Sequence, residues 1–216
     1  MKFACFIVLS LLGTSVLYAQ DLFVVARNGT PEQVQAALKS GAKIEQRAPG
    51  LGLTPLMIAA QFNSNPEVIT VLLEAGADLA TRSYFDSMTA LLMAAQRNSN
   101  PEIVLKLLRA GAKMDDRSGH GLSPLMVAAT WNENPAIIPV LLNAGADIDE
   151  TTTDGVTALM LAAREGKNPE MIPALIKAGA NVKLRSKAGH TALEAASENA
   201  KLKGTEALRI LEEASK

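Results

Sequence analysis

The chain has 216 residues, of which 48% are hydrophobic and only 4% aromatic, with a formal net charge of −1. Near-neutral charge and the lack of any basic run exclude nucleic acid or an anionic membrane surface as the main ligand. So few aromatics leave a core of Ala, Leu, Ile, Val and Met, suited to small, closely packed helices.

The first segment reads as an address. Lys2 precedes an apolar run from Phe3 to Leu12, and Leu17-Tyr18-Ala19 forms a cleavage site ahead of Gln20. Phe3 to Ala19 is short for a bilayer span and is interrupted by Ser10, Gly13, Thr14 and Ser15. Residues 1–19 are therefore expected to be a signal peptide, cut near Ala19 and leaving a periplasmic or secreted domain, 20–216, with no membrane insertion. Its loss removes Lys2, leaving 20 basic against 22 acidic residues, net −2. It also removes Cys5, the only cysteine, so no disulfide or cysteine metal site is expected.

From there the chain repeats itself. Leu22-Phe-Val-Val-Ala-Arg27 and Thr30-Pro31 through Ser40-Gly41-Ala42 form a degenerate first unit. Gly52-Leu-Thr-Pro-Leu-Met-Ile-Ala-Ala60 then returns in close copies whose Thr or Ser falls at 54, 89, 123, 157 and 191, a spacing of 35 and then 34. A second run follows each of the first four copies, beginning Asn-Pro at 65, 100, 134 and 168 and closing Ala-Gly-Ala at 77, 112, 146 and 180. Asn caps a helix with its side-chain oxygen and Pro opens one without losing a hydrogen bond. Val68, Ile69, Leu72 and Leu73 make an apolar helical face, and Gly76 with its counterparts at 111, 145 and 179 ends the helix. One helix pair cannot bury its apolar side alone, so the pairs must stack into a single quasi-linear domain. Turn-rich connections, 48–52, 82–87, 117–121, 152–155 and 186–189, join the copies, and the first two are one residue longer than the rest. The final run, Thr205 to Ala214, keeps Leu208 and Leu211 for the stack and offers Glu206, Arg209, Glu212 and Glu213 to water, as a cap requires.

The T-P-L-x-x-A-A run, the leucine pair and the Gly-Ala-Asp close resemble the ankyrin repeat family. The resemblance covers nearly all of 20–216 and implies an all-α solenoid of six stacked helix-turn-helix repeats, the first and last capping, with hairpin-like connections. Met57, Leu92, Met126, Met160 and Glu194 stand where the family has His, so inter-repeat packing is expected to lean on apolar contact. The Asn-Pro insertion makes each repeat slightly longer than usual.

The chemistry of catalysis is missing from the pattern. There is no phosphate-cradling Gly loop, no nucleophile elbow and no metal-spaced Cys/His set, so no catalytic residue, cofactor or metal is expected. His120 beside Asp115 and Asp116 is the one arrangement that an enzyme reading could use, and it lacks a third converging group. Asp147, Asp149 and Glu150 are read as hairpin residues rather than a calcium site. The aromatics point to binding. By the resemblance, Phe62, Arg97 and Trp131 fall on the concave inner face, while Leu53, Tyr84, Phe85, Met88 and Leu122 stand on the hairpins. Together these eight are the expected contact surface for a protein partner, because aromatic and Arg side chains anchor interfaces. The reading is a monomeric, non-enzymatic protein-interaction module. Its narrower form is an inhibitor or immunity-type partner of an envelope enzyme; the runner-up is an enzyme with a site centred on His120, and a structural part of an envelope assembly is a third alternative.

Overall fold

The computed structural model describes residues 21–216, so the expected export segment and its cleavage site lie outside the described residues. Helices dominate the architecture, and they come in packed pairs. The first helices of the pairs are α1 (Leu22–Asn28), α3 (Pro55–Phe62), α5 (Ala90–Arg97), α7 (Pro124–Trp131), α9 (Ala158–Glu165) and α11 (Ala192–Ala196). Their partners are α2 (Pro31–Lys39), α4 (Pro66–Glu74), α6 (Pro101–Arg109), α8 (Ile137–Asn143), α10 (Met171–Lys177) and α12 (Glu206–Ala214). Each first helix lies against the next first helix, and each second helix against the next second helix, giving two parallel rows. Among the described residues there is no strand, only one isolated antiparallel bridge between Thr151 and Thr157.

The caps follow the sequence closely. Thr54 Oγ1 accepts from the Met57 amide at 3.3 Å, and Thr89, Ser123, Thr157 and Thr191 repeat the bond. Asn65 and Asn100 cap α4 and α6 through their side-chain oxygens. At the other end, the Ala77 amide reaches back to the Leu72 carbonyl across Gly76, which takes φ +90°. That six-to-one closure needs a left-handed residue, and glycine supplies it without strain.

α8 and α10 start later than their Asn-Pro sequences suggest. Asn134 and Asn168 still cap the turn, their Oδ1 atoms accepting from the Ala136 and Glu170 amides. However, Pro139 and Pro173 sit where an amide should bond the carbonyls of Pro135 and Pro169. With that donor missing, Ile138 and Ile172 bond those carbonyls instead, at 3.1 Å each, and the first turn tightens to a three-residue spacing.

The core is aliphatic throughout. Leu56, Met57, Leu72, Leu91, Leu92, Leu107, Leu125, Met126 and Leu141 are all essentially buried. Ala pairs at 59–60, 94–95, 128–129 and 162–163 are buried as well, letting neighbouring first helices approach more closely than neighbouring second helices do. By the resemblance, the first-helix row is the expected inner face of the stack.

Apolar contact is not the only tie between repeats. Asn63, Asn98 and Asn132, which end α3, α5 and α7, are buried and point back across the stack. Asn98 Nδ2 donates to the Ala60 carbonyl at 2.8 Å and to the Asn63 carbonyl at 2.9 Å, and its Oδ1 accepts from the Asn100 amide. Asn63 and Asn132 make the same three bonds one repeat away. This ladder adds hydrogen bonds between repeats to the apolar contact on which the packing was expected to lean.

Candidate functional site

Five hairpin-like connections project from the inner edge of the stack. Each is closed by one backbone bond: Ala48 N–H to Leu53, Ser83 to Met88, Ser118 to Leu122, Thr152 to Val156 and Ser186 to His190. The first two enclose one residue more than the other three. An arginine relay holds the first three in line. Arg47 Nη1 donates to the carbonyls of Gly52 and Arg82, at 2.8 and 2.9 Å. Arg82 repeats the pattern toward Ser87 and Arg117 and ion-pairs with Asp116 at 2.7 Å. Arg117 pairs in turn with Glu150.

The two longer hairpins carry the exposed apolar surface. Leu51 is 51% exposed, Tyr84 67% and Phe85 71%, and the remaining exposed large hydrophobic residue among those described is Val24 on α1. Their arrangement is fixed. The Tyr84 amide donates to the Leu51 carbonyl at 2.9 Å, and Arg47 lies 5.0 Å over the Tyr84 ring. The ring packs flat on Gly52, where a Cβ would come within 2.4 Å of it. Asp86 and Ser87 hold positive φ, at 61° and 47°, which turns Phe85 outward at the tip. A locally uncommon backbone of this kind persists only where surrounding bonds impose it. Here they are the Gly119 amide on the Asp86 carbonyl at 2.6 Å and the Ser83 hydroxyl on the Phe85 carbonyl at 2.5 Å.

A second element lies at the C-terminal ends of the first helices. Phe62 and Trp131 are half-buried against the core, and Arg97 stands exposed between them at the equivalent position. Arg27 reaches from α1 to lay its guanidinium 4.0 Å over the Phe62 ring. Toward the C-terminus the face carries charges, where a depression of about 440 Å³ is lined by Asp154, Arg164, Lys187, His190 and Glu198 beside Val156, Met160, Ala188 and Ala195.

The expected contact residues separate into two groups. Tyr84, Phe85 and Arg97 are exposed, with Phe62 and Trp131 half-exposed. Leu53, Met88 and Leu122 are not on the surface: they are 8%, 2% and 9% exposed and belong to the core. Each precedes a helix-capping Thr or Ser and gives its carbonyl to the hairpin closure, which turns the side chain inward. The apolar hairpin surface is instead completed by Leu51. Its signal was present in the sequence, as a leucine between two glycines in a turn. Arg27 was hidden by the degenerate first repeat.

The His120 cluster does not assemble. Asp116 is taken by Arg82, and His120 Nε2 stands 3.5 Å from Asp86 of the preceding hairpin, whose Oδ1 is buried without a hydrogen-bond partner. No group of three metal-ligating side chains converges among the described residues. No helix among them is long and apolar enough to cross a membrane.

Comparison with known proteins agrees with this architecture. A family model describing ankyrin repeats in three copies matches residues 22–118 and again 125–215. The chain belongs to the ankyrin repeat family. Among solved structures, this ankyrin repeat protein is similar to a chain in the complex of a predatory endopeptidase from Bdellovibrio bacteriovorus with an immunity protein. That match has a TM-score of 0.70 and 29% identity, and covers 90% of this chain and 97% of the other. A search of curated proteins finds no match. Its ankyrin repeats make the chain a protein-interaction module.

Proposed function

We propose that this ankyrin repeat protein is an exported, non-enzymatic immunity-type partner that binds and blocks an endopeptidase of the cell envelope. The observation that carries the reading is the pair of longer hairpins bearing Leu51, Tyr84 and Phe85. Two rigid apolar protrusions fit a concave cleft, and a hydrolase presents one where its substrate enters. The backbone bonds, the Arg47 contacts and the Gly52–Tyr84 packing hold the hairpins in place before binding, so little ordering entropy is lost on association. The similarity to a complex of an endopeptidase with an immunity protein supports this class of partner. Lys2, the apolar run and Ala19 support export to the periplasm or beyond, where such an enzyme acts.

The test is a peptide-hydrolysis assay with an envelope endopeptidase from the same host, titrated with the purified protein. Inhibition that is complete near one equivalent is the expected result. Undiminished hydrolysis with the protein in large excess contradicts the reading.

A further inference from the structure

Beyond the hairpins, the structure assigns a second contact to this face: Arg27, Phe62 and Arg97 form a site for an acidic side chain in an extended segment of the partner polypeptide. The inference rests on the reading that the protein binds a protein, and it names the chemistry of one part of that partner.

The argument starts from charge. Arg82, Arg117, Arg164, Arg185 and Arg209 each pair with a carboxylate of this chain, and Arg47 is spent on backbone carbonyls. Arg27, Arg97 and Arg109 have neither kind of partner among the described residues, and of these Arg27 and Arg97 border one cavity of about 330 Å³. No carboxylate lines it; Ser64 and Ser99 add hydroxyls and Phe62 adds an apolar wall. Two guanidinium groups over such a wall are poised to take a carboxylate. A charge-assisted, forked hydrogen bond to Arg is stronger than a neutral one. Arg27 is also held in place by stacking on Phe62, 4.0 Å from the ring centroid, so less side-chain freedom is lost on binding.

A phosphate backbone would also satisfy a guanidinium, but a site of two guanidinium groups on a chain of net charge −1 with no basic run falls short of the neutralisation that nucleic-acid binding requires. A carboxylate-bearing peptide needs only one such site. Half-buried Trp131 holds the position equivalent to Arg97 in the next repeat, one step further along the row of first helices.

The experiment uses the purified protein and a short acetylated, amidated peptide in which glutamates flank a leucine, beside a twin with glutamine at both places. Binding is followed by titration calorimetry and by the emission of Trp131, the only tryptophan in the chain. The glutamate peptide should bind at least about tenfold more tightly than its twin, weaken as salt is raised, and lose that advantage on Arg27→Gln/Arg97→Gln. Lys113→Gln, which removes an exposed cation that does not border this cavity, should leave peptide binding unchanged. Equal affinity for the two peptides overturns the proposal, as does an unchanged preference in the arginine variant with its melting temperature intact. Tighter binding of a single-stranded oligonucleotide than of the glutamate peptide also overturns it. Because no endopeptidase is present, failure of the immunity reading leaves this result standing, and failure here leaves that reading untouched.

Discussion

Asn98 is buried and satisfies two carbonyls of the preceding repeat while fixing the turn of its own. Asn98→Ala should strand the Ala60 and Asn63 carbonyls and cost about 1–3 kcal/mol in denaturant unfolding. Asn100→Ala removes a half-exposed cap and should cost less, about 1 kcal/mol. Equal losses would show that the ladder contributes nothing beyond capping. Gly111 isolates a different effect: it takes φ +100° with no heavy atom within 4 Å of a built Cβ. Gly111→Val should therefore cost roughly 1–2 kcal/mol by backbone strain alone, against little for Lys113→Ala. The glycine was legible from the repeat, since a helix end needs it wherever it recurs. The asparagine was not, because its role depends on carbonyls 35 and 38 residues away that only the stack brings near.

At the scale of the element, the terminal pair α11 and α12 differs from the rest in how it is held. Glu194 accepts from the Thr191 amide and hydroxyl and pairs with Arg185. The Thr191 amide first, then its hydroxyl and Arg185, hold the Glu194 carboxyl below the usual range. A carboxyl whose folded pKa is depressed stabilises fully above its unfolded value and loses that contribution as pH falls through the folded one. The N-terminus of α11 should accordingly loosen on acidification, seen as loss of amide protection in α11. Glu194→Gln should remove part of that dependence while keeping an acceptor for the cap; an identical pH profile would contradict it. Hairpin elements were only half legible. Their positions and the extra residue in the first two were visible, but which side chains point out depends on closure bonds such as Ser83 to Met88. That is why Met88 reads as surface in the sequence and sits in the core.

Across the whole molecule, the repeat period fixed the stack, since every unit must bury its apolar side on its neighbours. The contact surface was harder to read, because exposure is decided by how five hairpins register against one another. The longer pair presents Leu51, Tyr84 and Phe85 at one end of the inner face, and the other end, with the charged depression near Arg164 and Lys187, carries no exposed large hydrophobic residue among those described. Binding should therefore be polarised toward the second and third repeats. The most direct test is the affinity for an envelope endopeptidase of the same host, measured by calorimetry for the wild type and for Leu51→Ser/Phe85→Ser. These two residues are exposed, so the unfolding midpoint should hardly move, whereas affinity should fall by about 2 kcal/mol or more. Unchanged affinity in the double variant, or no binding heat from the wild type, would contradict the account.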